Sequence, residues 1–141
     1  TTGFGTEQLT WLENTALAVE SGWTVLVFTH VPPTAESING NTHYLSQISD
    51  GEDFREVIAN STVDIAGIFC GHCHASAIVT GDLRCPIVTV TTAGGSPYDS
   101  AEGARAGTTT ETAIDIVSVN KATRTVDITR LGIGSDRSFT Y

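Results

Sequence analysis

At 141 residues, with 40% hydrophobic and 16% charged side chains, the chain has the length and composition of one core-forming domain, not of a disordered segment. Its net charge of −9 argues against a nucleic-acid or anionic-membrane surface, both of which need clustered Lys and Arg. No run approaches the roughly 18 apolar residues of a membrane span, and the first residues carry no signal-peptide pattern.

From Thr6 the sequence predicts an amphipathic helix, with Thr6 as N-cap, Leu9, Leu12, Ala16 and Val19 at helical spacing, and Gly22 as its end. "WTVLVFTH" follows, an apolar β-branched run suited to a strand buried on both faces, which stops at His30 and the breaker pair Pro32–Pro33. Residues 32 to about 50 are rich in turn formers and read as loop. "DGEDFREVIANS" reads as a second helix with Phe54, Val57 and Ile58 turned inward, and "TVDIAGIFCGHCH" as a second buried strand entering a Gly-containing turn. "ASAIVTG", "PIVTVTTA", "ETAIDIVSVN" and "RTVDITRLG" are short strand-type runs, and the Gly-rich segment 93–110 between them reads as a surface loop. The order is helix, strand, helix, strand, then a strand-rich tail, which is a mixed α/β chain.

Three cysteines cannot all pair within one chain. Cys70, Cys73 and Cys85 read as reduced thiols, with a reducing, cytoplasmic compartment expected, or as ligands. No methionine occurs, so the chain is expected to be a piece of a longer protein.

The chemistry concentrates in "CGHCH", Cys70 to His74. His30, His72 and His74 all follow directly on buried apolar strands, where sheet proteins with helical crossovers bind ligands. In an extended segment, His72 and His74 point to one face with roots roughly 7 Å apart. Their rings can then converge on one ion or hold two ions about 3.5–4 Å apart. Cys73 then faces inward, and Gly71 keeps the backbone thin beside the site.

"VLVFTHVPP" followed about 40 residues later by "DIAGIFCGHCHAS" resembles the last two motifs of the calcineurin-like metallophosphoesterases: a lone His after a strand, then G-H-x-H. "EQLTWLENTA" is similar to the helix before the lone-His strand in many members, and "ITRLGIGSDRSFTY" to the final strands of phage-type and related bacterial members. The resemblance implies a partial four-layer αββα sandwich with mixed sheets and flanking helices. Residues 1–141 would form a single partial domain, the C-terminal half of the catalytic domain. It further implies hydrolysis of phosphomonoesters or phosphodiesters by a dinuclear centre of Mn, Fe or Zn. His30 and His72 would hold the second metal and His74 the first.

The earlier family motifs, D-x-H, G-D and G-N-H-[D/E], have no counterpart, since none of the twenty-nine residues before His30 is Asp or His. The general-acid His motif is missing, so no catalytic residue is assigned. His43, Asp82 and Asp99 match no motif. The isolated chain is therefore expected to bind metal weakly or not at all and to be inactive alone. It is expected to associate with the missing N-terminal half or with further copies of itself.

Three alternatives remain. C-x-x-C-H is also a c-type haem attachment motif, with Cys70 and Cys73 as thioethers and His74 as axial ligand. Cys70, Cys73, His74 and Cys85 are a possible structural zinc set. The parent could also be a non-catalytic structural or assembly protein that reuses the fold.

Overall fold

The computed structural model describes residues 2–38, 48–91, 103 and 105–141. Among the described residues, two sheets and two helical segments make a mixed α/β fold. One sheet has the strand order β1-β2-β4-β3, with β1 (Thr24–Thr29), β2 (Asp64–Cys70) and β4 (Ile87–Thr89) mutually parallel and β3 (Ala77–Val79) antiparallel to β4. The other is the antiparallel meander β5 (Ala113–Asn120), β6 (Thr125–Gly132) and β7 (Arg137–Thr140).

The first helix begins as α1 (Thr6–Trp11) and continues as a π-helical turn, Leu12–Ala16, closed by the Leu17 amide on the Leu12 carbonyl at 2.9 Å. It buries Leu9 and Leu12 as its spacing predicts but ends well before Gly22. Gly22, at φ +92°, instead turns the chain into β1. Thr6 is not the cap. Gly5 holds that position, and the Asp50 carboxylate accepts the Phe4 and Gly5 amides at 3.0 and 2.7 Å. Asp50 also opens α2 (Gly51–Asn60), so one side chain ties the starts of both helices together. Phe54 and Ile58 of α2 are buried as the pattern predicts, and Val57 is half-buried.

Two apolar layers follow from these elements. The helices cover one face of the four-stranded sheet, burying Leu9, Leu12, Phe54 and Ile58 against Ile65, Ile68 and Ile87. The meander covers the other face, closing Ala66, Phe69 and Val88 against Val126 and Ile128. β2 is the central strand of this arrangement, which is why it is a continuous apolar run. Gly67 lets the second sheet approach: a Cβ there would lie 3.4 Å from the Phe139 ring.

The segment after β1 departs from the expected polar loop. Pro32, Pro33, Thr34 and Ile38 are buried, and the Ala35 amide donates to Asp82 at 2.8 Å. Residues 39–47, with His43, lie outside the described residues, as does most of the Gly-rich segment, Asp99 included. Among the described residues, no helix is long and apolar enough to cross a membrane.

Candidate functional site

β1 and β2 run parallel in adjacent positions, so their carboxyl ends reach the same edge of the sheet. His30 directly follows β1, and Gly71 directly follows β2. The pairing continues one step past the strands, where the Gly71 amide donates to the His30 carbonyl at 3.0 Å. That bond holds the lone-His segment against the G-H-x-H segment.

His30 Nε2 and His72 Nδ1 consequently stand 3.3 Å apart, with the rings nearly perpendicular at 76°. In the absence of a ligand this is an imidazole–imidazole hydrogen bond, one nitrogen donating and the other accepting. Two nitrogens on one tetrahedral ion, each at about 2.1 Å, stand about 3.4 Å apart. The observed spacing therefore fits one ion held by both rings.

His74 is placed differently. The backbone beyond Cys70 is not extended: His72 and His74 adopt left-handed φ angles of 63° and 49°. The alternation that would put both rings on one face does not apply there. The His74 carbonyl is anchored by the Thr91 hydroxyl at 3.2 Å, and the next carbonyl, of Ala75, by the buried Thr89 hydroxyl at 2.7 Å. Among the described residues, no group of three or more His, Cys, Asp or Glu side chains is placed to hold a single ion. The structure thus brings His30 and His72 together and seats His74 two residues further on, in the same turn.

Gly71 does not play the part its small size suggests. Its φ is not positive, and an added Cβ would meet His30 Nδ1 at an ordinary 3.6 Å. The strained geometry falls on the two histidines, residues that tolerate it better than most but still at a cost.

The thiols are free and turned inward. Cys70 is 3% exposed, Cys85 is also buried, and Cys73 is half-buried against the helix-side core. Burial pushes the Cys70 thiol far up, with a further push from Cys73. Burial also raises the Cys85 thiol to about 11, against the opposing pull of Arg84. A haem thioether needs its sulfur where a porphyrin edge can lie, and Cys70 sits inside the core instead.

Sequence reasoning missed what stands behind the turn. Asp115 on β5 forms a buried ion pair with Arg130 at 2.6 Å and a second with Arg137. Arg130 reaches on to the Ser76 hydroxyl at 2.7 Å, and Arg137 to the Thr89 carbonyl at 2.9 Å. This knot joins the meander to the segment just after His74. Its only trace in the sequence is a single charge at an inward position of each of three strands. A scan against protein-family models finds none that matches the chain, and a search of curated proteins finds no match either.

Proposed function

We propose that the chain is the C-terminal half of a metallophosphoesterase domain, in which His30, His72 and His74 serve a dinuclear metal centre that hydrolyses phosphate esters. The observation that carries this reading is the approach of His30 Nε2 to His72 Nδ1 at the carboxyl ends of two parallel strands, at a separation suited to one shared ion. The layering supports it as well. Helices, a mixed sheet and a second sheet stand in the order that three layers of an αββα sandwich would have.

On this reading His30 and His72 would together hold one ion at the strand ends, and His74 would offer its ring to the second. Bound metal would lower the pKa of an attacking water and neutralise charge on the phosphate oxygens. The protein's own part is positional. The Gly71–His30 backbone bond fixes the separation of the two strand ends, and Thr89 and Thr91 hold the carbonyls that set the course of the turn. The carboxylate and general-acid motifs would come from sequence preceding Thr1.

The test is to extend the chain with its upstream coding sequence and assay p-nitrophenyl phosphate and bis(p-nitrophenyl) phosphate with Mn²⁺. The expected result is activity in the extended protein and negligible activity in residues 1–141. His30→Ala and His72→Ala should each lower activity about 100-fold or more. Upstream sequence that lacks D-x-H and G-N-H-[D/E] would refute the proposal and favour a scaffold role.

A further inference from the structure

His30 has a second set of neighbours besides His72. Its side chain also walls a cleft of about 310 Å³, together with Thr2, Phe4, Thr29, Val31 and Ile48. One imidazole therefore borders both the histidine corner and the cleft.

The chain builds this cleft from segments far apart in sequence and ties them firmly. Thr2 forms a parallel bridge with Ile48, and the Ser49 amide donates to the Thr2 carbonyl at 2.9 Å. The Phe4 amide is one of the two that Asp50 holds, and the Phe4 ring stacks on the buried Phe54 at 4.7 Å between centroids. Gly3 passes so close to the same segment that an added Cβ would lie 2.7 Å from the Ser49 hydroxyl oxygen. The opposite wall, Thr29 to Val31, runs on from β1 and is fixed by the Gly71–His30 backbone bond. The cleft is thus shaped by this chain's own segments, as small-molecule sites usually are.

Among the described residues, no Asp, Glu, Lys or Arg lines it. Against Phe4, Val31 and Ile48, a second phosphate, a carboxylate or a sugar ring would lose its hydration without recovering hydrogen bonds. An apolar group gains by leaving water there. An apolar cavity of about 150 Å³ takes one benzene ring, so a cleft of about 310 Å³ has room for two fused rings. We infer that this cleft is the subsite for the alcohol part of the substrate, so that the phosphate esters cleaved at the histidine corner carry an apolar group of one or two rings in place of a sugar or nucleoside. The inference rests on the phosphoesterase reading and adds the substrate class to it.

The cleft is probed first without metal or turnover. 2-Naphthol titrated into residues 1–141 should produce saturable NMR shifts in the methyl groups of Val31 and Ile48. Val31→Asp should weaken that binding about tenfold or more, and Leu131→Asp, on the exposed face of the meander, should leave it unchanged. No saturable shift, or shifts confined to Leu12 and Val25 in the separate groove between α1 and β1, would overturn the inference. The extended protein with Mn²⁺ is then given 2-(2-naphthyl)ethyl phosphate and ethyl phosphate, whose leaving alcohols are similarly basic. The naphthyl ester should be preferred about tenfold or more in kcat/KM, and Val31→Asp should lower that preference. Equal kcat/KM for the two esters would overturn the inference and leave the phosphoesterase reading standing. Hydrolysis of neither, with naphthol still bound beside Val31, would overturn that reading and with it the cleft's part as a substrate subsite.

Discussion

His72 and His74 carry both the candidate chemistry and the backbone strain of their turn. A left-handed residue with a Cβ costs about 1 kcal/mol that glycine does not pay. His74→Gly should therefore be more stable to urea than His74→Ala by about 1 kcal/mol, although both remove the same imidazole. Equal stabilities would mean that the left-handed turn is not a feature of the folded protein. Cys70 and Cys85 give a second residue-scale expectation. Both thiols titrate higher in the folded chain than the ordinary value of 9.0, Cys85 at about 11. Between these limits the unfolded chain loses protons that the folded chain keeps, so stability is fully present below pH 9 and falls as pH rises. For Cys85 alone the loss is about 2–3 kcal/mol by pH 11. The urea midpoint should decline over this range, and less steeply in Cys85→Ala. A midpoint flat across it would place the thiol in water.

At the scale of elements, what the sequence made legible and what it hid separate by cause. β5 and β6 are legible as strand-type runs, but their faces are legible only in part: Val117, Val119, Val126 and Ile128 turn inward, whereas Ile114, Ile116 and Leu131 are exposed and Asp115 and Arg130 turn inward. β2 is legible as a continuous apolar run because it is covered on both faces. The first helix was legible in its core residues but not in its length, because the π-helical turn at Leu12–Ala16 shifts the register by one residue and no local signal marks it. Its cap was hidden because Asp50 lies 45 positions away from the Gly5 amide that it accepts. The end of β6 shows the same dependence on distant chain. Gly132, at φ +98°, leaves no room for a Cβ, which would lie 1.9 Å from the Thr112 carbonyl oxygen at the entry to β5. Gly132→Ala should cost about 3 kcal/mol or more in thermal or urea unfolding. A cost below about 1 kcal/mol would show that the two strand ends can part freely.

For the whole molecule, the sequence placed the candidate residues at strand ends, and parallel pairing of β1 and β2 accounts for why two of them meet. The local conformation of the turn was not legible, because it rests on hydroxyls from β4 and just beyond it, Thr89 and Thr91, that come later in the chain. Nor was the Asp115 knot. Three ordinary-looking charges in separate strands acquire meaning only once the meander folds over the first sheet.

That knot has a consequence for how damage would travel. Through Arg130 and Ser76, the far sheet is fastened two residues beyond His74. Through Arg137 and the Thr89 carbonyl, it is fastened to the strand whose hydroxyl steadies Ala75. A lesion at Asp115 would strand two guanidiniums in the interior and slacken both moorings together. The histidine corner would then loosen without any of its own side chains having been touched.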